Sequence, residues 1–320
     1  MALLLDLVIF FAGVGFLVAG AWALVTGGAR IAALLGIPPV VVGLTIVAFG
    51  TSAPELFVSL VAALRGNSDL MLGNVIGSNV ANIGLILGSA VLLVPVSVEK
   101  NLMRLEIPLL LVATGVFTAL GWDIRLTRLD GLLLVMVFLV FMTVTLRRGR
   151  LDNIIATETP GEAPPLLARR GLLINSLLVL AGIAGLTLGG ELIVDSAVKV
   201  AARLGASEAF IGLTLVAIGT SLPELATTLV AALRRQSDIA LGNIIGSNLF
   251  NMLAVAGPVV LVHPVTGQDT LRTHQLPGMI LLTLLVPLVC VRGPTIRKIW
   301  GPVLLLLYVG MMVWWQRSGV

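Results

Sequence analysis

Long apolar runs constrain this chain more than any other feature of its sequence. Runs of roughly 20 apolar residues recur from end to end, and an α-helix needs about that many to cross the hydrocarbon core of a bilayer. Only 11% of the 320 residues are charged, far fewer than in a typical water-soluble domain. Hydrocarbon offers the backbone no hydrogen-bond partner, and the sequence lacks the alternating pattern of β-barrel strands. We therefore predict an all-α integral membrane protein.

The apolar runs divide the chain into ten predicted transmembrane helices. The first run is long enough to span the bilayer and has no basic segment ahead of it, so we interpret it as helix 1 and not as a cleaved signal peptide. The ten predicted helices cover residues 2–26, 38–64, 69–94, 102–121, 128–147, 171–198, 207–233, 238–262, 275–291 and 299–316.

The distribution of basic residues indicates how these helices are oriented. A net charge of +4 could point to nucleic acid as a partner, but in a membrane protein Lys and Arg mark the cytoplasmic side instead. Of the 20 Lys and Arg residues, 13 follow odd-numbered helices and 7 lie on the side that carries both termini. We predict a multi-pass protein of the plasma (inner) membrane, with both termini on the non-cytoplasmic side and no nucleic-acid partner.

The chain also contains an internal repeat. Residues 42–88 match 211–257 without a gap, at a constant offset of 169. A match this long indicates a duplication of two five-helix halves. Since five is odd, the second half enters the membrane from the opposite side, the inverted plan of many secondary transporters. The predicted parts are a first five-helix repeat at 1–147, a cytoplasmic linker at 148–170, too short for a folded domain, and a second five-helix repeat at 171–320.

Each copy places a proline and a glutamate where a lipid-spanning helix is expected to have neither. The motif is GTSAPE at 50–55 and GTSLPE at 219–224. Proline donates no N–H and clashes with the carbonyl one turn earlier, so we predict that helices 2 and 7 are broken and leave carbonyls free near mid-membrane. A lone proline more often marks a simple kink. An ionisable residue inside a membrane helix is expensive, however, and two at matching positions favour a binding site over a structural role.

Side-chain oxygens cluster around the two breaks. In each motif Thr and Ser share a helix face with Glu, and the next helix carries Asn, Ser and Asn at i, i+4 and i+8. Taken singly, a Ser or Thr more often bonds back to its own helix. Neither block contains Cys or His, so the set suits a hard cation such as Ca²⁺ or Na⁺ and not zinc or copper. The positions are Thr51, Ser52, Glu55, Asn74, Ser78 and Asn82, with Thr220, Ser221, Glu224, Asn243, Ser247 and Asn251.

Two further acids, Glu191 and Asp195, lie late in predicted helix 6. Their counterparts in the first repeat are Trp22 and Thr26. The repeat therefore does not support a transport role for these acids, and a helix-end position is favoured.

The paired motifs, each followed by GNVIGSN or GNIIGSN, resemble the α-repeats of the Ca²⁺/cation antiporter superfamily, especially the compact prokaryotic members of the sodium/calcium exchanger family. The resemblance extends over the ten-helix layout of the whole chain. It implies a Na⁺/Ca²⁺ antiporter that works by alternating access, commonly with three Na⁺ for one Ca²⁺. By motif position it implies these cation ligands: Thr51, Ser52, Glu55, Ser78, Asn82, Thr220, Ser221, Glu224, Ser247 and Asn251, with the backbone carbonyls of Ala48 and Ala217.

One departure from the family bears on the coupling ion. Some members carry an aspartate at the position of Asn82 or Asn251, whereas both are amides here. The two remaining carboxylates suffice to balance one Ca²⁺, and the absence of the extra acid makes K⁺ co-transport less favoured. Exchange of H⁺ for Ca²⁺ on the same fold is the main alternative, with the glutamates carrying protons.

Other classes of protein fit the sequence less well. A channel usually builds its filter by oligomeric symmetry, whereas an inverted duplication builds an internal site within one chain, compatible with a monomer. An intramembrane protease could use two acids, but no nucleophile or metal pair accompanies them in the motifs. We therefore expect a transporter in the lipid bilayer and not an enzyme, with Ca²⁺ and Na⁺ as transported ions and no cofactor.

Overall fold

A computed structural model describes residues 2–99, 102–156, 165–203, 217–291, 293 and 295–318. Several predictions concern residues outside these ranges. These residues are 207–216, at the start of predicted helix 7, 157–164, in the middle of the predicted linker, and the basic residues Lys100 and Arg292. The range 207–216 includes the first residues of the second repeat copy.

The described part of the chain forms twelve helices and two short strands. The helices are α1 (Ala2–Leu35), α2 (Pro39–Thr51), α3 (Ala53–Leu64), α4 (Ser68–Leu93), α5 (Leu102–Gly121), α6 (Arg128–Ala156), α7 (Pro165–Arg203), α8 (Ala217–Thr220), α9 (Leu222–Leu233), α10 (Ser237–Val262), α11 (Leu271–Cys290) and α12 (Trp300–Arg317). The strands β1 (Arg125–Leu126) and β2 (Val265–Thr266) pair antiparallel.

Length and apolar composition mark the protein as a membrane protein, as predicted. Within the described residues, seven helices are long and apolar enough to cross a bilayer, or eight if α2 and α3 are counted as one bent span. The α9 helix is apolar but shorter. The large apolar side chains exposed on the outer helices therefore have lipid as their natural surroundings.

The two longest helices, α1 and α7, extend beyond their predicted spans. Predicted helix 1 ended at residue 26, but α1 continues to Leu35 and stops where Gly36 takes a φ of +64°, a conformation typical of a helix C-terminus. Gly27, which follows the predicted end, does not end the helix and instead lets α7 pack closely against α1. A Cβ atom on Gly27 would lie 2.9 Å from the Asn175 carbonyl oxygen of α7.

Glycines bring the backbones of α1 and α7 into close contact. A Cβ atom on Gly20 would lie 2.6 Å from the Leu186 backbone nitrogen, and one on Gly182 would lie 2.6 Å from the Leu24 backbone nitrogen. Small residues that let two backbones approach are a common basis for helix pairing in membranes. Because Gly13 and Gly20 correspond to Gly182 and Gly189 at the repeat offset, the two halves contribute equivalent surfaces to this contact.

The two halves of the chain also interlock elsewhere. In the α2–α10 contact, a Cβ on Gly242 would lie 2.7 Å from the Val40 carbonyl oxygen and one on Gly246 would lie 2.8 Å from the Ala48 Cβ. This agrees with the use of the small-residue pair of the GNIIGSN block for helix packing. The first-half helix that carries one motif therefore lies directly on the second-half helix that carries the second oxygen stripe.

Loop contacts between the halves recur at the repeat offset. The Ser68 hydroxyl accepts a hydrogen bond from the Thr266 backbone N–H at 3.3 Å, and Ser237 accepts one from Ser97 at 3.0 Å. Adding 169 to Ser68 gives Ser237, and subtracting it from Thr266 gives Ser97. The two hydrogen bonds are thus equivalent contacts, each joining one half to the other.

Candidate cation-binding site

Each predicted motif coincides with an interruption of a helix. The α2 and α3 helices meet at an angle of 45°. Ser52 lies between them with φ −87° and ψ 7°, and Pro54 stands in the first turn of α3, where its missing N–H is tolerated. In the second half, Ser221 separates α8 from α9 with nearly the same angles, φ −88° and ψ 3°. Equivalent residues therefore adopt equivalent backbone geometry at the two breaks.

Backbone oxygens near the first break have donors close at hand. The Ala48 carbonyl accepts from the Ser52 N–H at 2.9 Å and lies 3.2 Å from the Thr51 hydroxyl. In the second half, Ala217 is the first residue of α8. Pro54 and Pro223 offer no N–H to the carbonyls of Gly50 and Gly219, respectively, as the sequence predicted.

The two glutamates at the breaks are fully enclosed. Glu55 is 0% exposed and Glu224 is 1% exposed. The Ser52 hydroxyl of the first half donates to Glu224 Oε1 of the second half at 2.9 Å, so the two motifs meet. Neither carboxylate oxygen of Glu55 has a hydrogen-bond partner among the described residues. Two buried carboxylates with so few donors require a positive charge or a proton to be stable.

The Thr hydroxyls connect the two halves through asparagines. Thr51 Oγ1 lies 3.2 Å from Asn243 Oδ1 and 3.4 Å from Ser247 Oγ. Thr220 Oγ1 lies 3.5 Å from Asn74 Oδ1, which is the same contact with the halves exchanged. The structure thus places Thr51 and Ser247 together and holds Thr220 against the opposite oxygen stripe.

Both asparagine amides also hold the backbone beside the breaks. Asn74 Nδ2 donates to the Glu55 carbonyl at 3.2 Å and to Ser59 Oγ at 2.9 Å. Asn243 Nδ2 donates to the Glu224 carbonyl at 3.4 Å and to the Thr228 hydroxyl at 3.0 Å. The resemblance did not assign Asn74 or Asn243 as ligands.

Two hydroxyls of this arrangement were missed by the sequence reasoning altogether. Ser59 and Thr228 lie one turn after the motif glutamates, at the repeat offset from each other. A hydroxyl at both equivalent positions was the signal that could have identified them.

Among the described residues, three of the remaining predicted ligands have buried side-chain polar atoms without a hydrogen-bond partner. Within the described part of the chain, Ser221 Oγ and both side-chain polar atoms of Asn82 and Asn251 have no hydrogen-bond partner. Ser78 is buried as well. Native proteins leave few buried polar atoms unpaired, and those that remain call for an explanation. An oxygen-binding ligand would supply one here.

Both amides lie in π-helical segments, which also occur in α2, α5 and α11. Asn82 begins a π-helical segment of α4, Asn82–Leu87, and Asn251 lies in one of α10, Phe250–Val255. Short π-helical segments shift the register of a helix face and are frequent at functional sites. In each half, the segment contains the asparagine one turn after Ser78 or Ser247.

The chemistry of the cluster is that of a hard-cation site. It combines two carboxylates with hydroxyl, amide and carbonyl oxygens, the ligands that Ca²⁺ and Na⁺ prefer. Among the described residues, no group of three or more His, Cys, Asp and Glu side chains could hold a metal ion in the manner of a zinc centre.

Comparison with known proteins gives consistent matches over nearly the whole chain. The family described as sodium/calcium exchanger protein matches residues 5–147 and 174–315. The putative antiporter CaxA of Alkalimonas amylolytica is 38% identical over 307 residues, which are 93% of this chain and 94% of that protein.

A further relative and a solved structure agree. The inner membrane protein YrbG of Escherichia coli (strain K12) is 34% identical over 91% of this chain and 90% of its own length. The solved structure of the sodium-calcium exchanger NCX_Mj, soaked with 2.5 mM Na⁺ and 0.1 mM Ca²⁺, superposes with a TM-score of 0.83 at 31% identity, covering 97% of this chain and 98% of that one.

Proposed function

The chain belongs to the sodium/calcium exchanger protein family, and we propose that it is a secondary active antiporter that exchanges Na⁺ for Ca²⁺ across the membrane. The observation that carries this function is the pair of enclosed carboxylates, Glu55 and Glu224, on interrupted helices related by the repeat. Two negative charges in apolar surroundings need a bound cation to balance them, and the neighbouring oxygens suit both Ca²⁺ and Na⁺.

The proposed site combines oxygens from both halves. Its charged members balance one Ca²⁺, and the neutral oxygens complete the coordination shell or bind Na⁺. The burial and hydrogen-bond pattern of the side chains supports this assignment. The proposed ligands are the side chains of Thr51, Ser52, Glu55, Ser78, Asn82, Thr220, Ser221, Glu224, Ser247 and Asn251, with the carbonyls of Ala48 and Ala217.

Charge arithmetic makes the exchange electrogenic. Two carboxylates with one Ca²⁺ give a neutral site, whereas two carboxylates with three Na⁺ leave one positive charge. A cycle of that stoichiometry therefore moves net charge across the membrane. The amides at Asn82 and Asn251 keep the count of formal negative charges at two.

We assign the chain ten membrane spans as two inverted five-helix halves, 1–147 and 171–320, joined by a cytoplasmic linker at 148–170. Hydrogen bonds that recur at an offset of 169 support equivalent halves. The distribution of basic residues favours both termini outside the cytoplasm, and the inner membrane is the natural location for a relative of YrbG.

Access to the site alternates in this proposal through α1 and α7. These helices carry none of the proposed ligands and contact each other through glycines, whereas the ligand-bearing helices interlock across the halves. The α1–α7 pair is therefore the natural moving part. The helices that carry the proposed ligands, α2–α4 and α8–α10, are the fixed part.

The test is Ca²⁺ uptake by proteoliposomes loaded with Na⁺. We expect wild-type protein to accumulate Ca²⁺ when Na⁺ flows outward, and Glu55→Gln to lose that uptake because the site loses half of its charge. The matched control is Glu106→Gln, which neutralises a buried acid at the start of α5, outside the site. Uptake without any need for Na⁺, or wild-type uptake by Glu55→Gln, would contradict the proposal.

The same vesicles separate the alternative coupling ions. In Na⁺-free buffer, a pH gradient drives uptake only if H⁺ is the counter-ion, and added K⁺ changes the rate only if K⁺ travels with Ca²⁺. We expect neither effect.

A further inference from the structure

We propose that Asn74 and Asn243 are positioning residues of the transport site, which orient the ligands without binding the ion themselves. The inference rests on the proposed function and adds two residues to it. Each amide spans three structural parts: the backbone at its own helix break, a hydroxyl one turn further on, and a threonine of the opposite half.

The amide nitrogens of Asn74 and Asn243 donate hydrogen bonds to equivalent acceptors in the two halves. An Asn NH₂ group has two N–H donors, and in Asn243 they serve the Glu224 carbonyl and the Thr228 hydroxyl. Asn74 makes the same two contacts with Glu55 and Ser59. Since a glutamate's carbonyl and carboxylate share one Cα, a fixed carbonyl restricts where the carboxylate can point.

The amide oxygens orient the threonines. A hydroxyl has one proton and two lone pairs. The acceptors within reach of Thr51 Oγ1 include Asn243 Oδ1 and the Ala48 carbonyl, both at 3.2 Å. When the proton points at either one, the lone pairs of Thr51 stay available for a cation. In the other half, the Thr220 hydroxyl makes the equivalent contact with Asn74 Oδ1 at 3.5 Å.

Asn243 provides the sharper test because its side chain is 0% exposed. We expect Asn243→Ala to weaken apparent Ca²⁺ affinity about tenfold, since it removes the amide that links the Glu224 carbonyl, the Thr228 hydroxyl and Thr51. Calorimetric Ca²⁺ binding to purified protein measures this directly and does not require transport. It therefore remains interpretable if Na⁺-driven uptake fails.

The Thr228→Val variant separates positioning from direct ligation. Valine keeps the shape of Thr228 but removes the hydroxyl that accepts from Asn243, so we expect a smaller loss of Ca²⁺ affinity. In the double variant Asn243→Ala/Thr228→Val, the two losses should be clearly less than additive, because both act through one contact. Additive losses, or wild-type affinity in Thr228→Val, would mean that Asn243 acts without Thr228 and would overturn the proposal.

Asn248 supplies the matched control. It is buried in α10 like Asn243, but its amide donates to the Ile244 carbonyl of its own helix. We expect Asn248→Ala to lower the melting temperature without changing Ca²⁺ affinity. If Asn243→Ala behaves in the same way, its role is only structural and the proposal is wrong.

A different set of contacts supports a second proposal, which concerns access to the site. Arg234, at the end of α9, donates a hydrogen bond to the Thr26 hydroxyl of α1 and lies over the Trp22 ring, with its guanidinium carbon 5.3 Å from the ring centroid. This contact, here called the Arg234 latch, joins the proposed moving pair to the fixed part near one end of α1.

The residues that correspond to the Arg234 latch at the repeat offset have different side chains. Subtracting 169 from Arg234 gives Arg65, and adding 169 to Trp22 and Thr26 gives Glu191 and Asp195. In the described part of the chain these three counterparts form no ion pair, and all are exposed. Where one half uses an aromatic ring and a hydroxyl, the other half has two carboxylates.

We infer that Arg65 pairs with Glu191 and Asp195 when access to the site switches to the opposite side and the Arg234 latch opens. In an inverted repeat, the contacts of one half in one state reappear in the other half in the other state. When unpaired, Glu191 and Asp195 add exposed negative charge to α7, which attracts cations. In the switched state, the ion pair neutralises part of that charge and joins α7 to the end of α3.

Spin labels at equivalent positions test this inference. On a Cys290→Ala background, the pair Leu64 and Lys199 reports the Arg65 side, and the pair Leu233 and Arg30 reports the Arg234 side. We expect the two distances to change in opposite directions as Na⁺ replaces Ca²⁺. We expect Asp195→Asn to reduce the population with a short 64–199 distance about two- to fivefold, as for an exposed ion pair.

Two results would overturn this second inference. One is a 64–199 distance that never shortens under any ion condition. The other is a short-distance population that Asp195→Asn leaves unchanged. Neither result affects the Na⁺-driven uptake assay, which tests the proposed function separately.

Discussion

Ser52 and Ser221 show at the residue scale how equivalent positions differ within one state of the molecule. Ser52 donates to Glu224 at 2.9 Å, whereas Ser221 Oγ has no hydrogen-bond partner among the described residues. Repeated sequence therefore does not imply that both hydroxyls make the same contact at once. An antiporter that alternates between two states is expected to show such inequality.

Replacing Ser52 tests the link between the halves at this scale. We expect Ser52→Ala to lower Ca²⁺ affinity about tenfold, because a hydrogen bond to a carboxylate contributes more than one between neutral groups. Calcium titration of purified protein measures the change. Ser89→Ala, in the part of α4 beyond the proposed ligands, is the control, and an equal loss in both variants would contradict a specific role for Ser52.

At the element scale, proline explains where helices 2 and 7 are interrupted, but sequence does not give the angle. The 45° between α2 and α3 depends on what α2 contacts, and α2 lies against α10 through Gly242 and Gly246. Local chemistry thus fixes the place of a break, and tertiary packing fixes its geometry.

Restoring the missing N–H should impair the site. We expect Pro54→Ala to let the α2 hydrogen-bond pattern continue to the Gly50 carbonyl, to straighten the bend and to displace Glu55, with a loss of Na⁺-driven uptake of about tenfold or more. The control is Pro108→Ala, at the second residue of the α-helical part of α5, Ile107–Gly121. Full uptake by Pro54→Ala would show that the interruption is not needed.

The α1–α7 contact gives a stability prediction at the same scale. We expect Gly182→Val to destabilise the protein by about 1–3 kcal/mol, because its side chain would collide with the α1 backbone and not with a flexible side-chain end. Thermal unfolding in detergent measures this. Gly15→Val is the control, since a Cβ there meets no described atom within 4 Å, and equal melting temperatures for the two variants would refute the packing argument.

At the scale of the whole molecule, the sequence predicted the helical membrane class and the exchanger family correctly, whereas the inverted arrangement of the repeat and the cation ligands stay predictions. Those features depend on composition, on an offset and on local spacing. The repeat predicts that the two motifs lie together, but not the individual contacts between them, because Thr51 and Asn243 are 192 residues apart and no local pattern records their pairing. The end of α1 was also missed, because Gly27 packs against α7 and does not end the helix. The α7 helix also extends beyond its predicted span at both ends.

The central claim is that two halves build one cation site, and Ca²⁺ stoichiometry tests it most directly. Equilibrium binding of radioactive Ca²⁺ to purified protein is measured for wild type, Glu55→Gln, Glu224→Gln and the double variant, with and without excess Na⁺. We expect high-affinity Ca²⁺ binding that Na⁺ displaces in the wild type, and its loss in either single variant as completely as in the double variant. If each single variant instead keeps half of the bound Ca²⁺, the halves hold separate sites and the account is wrong.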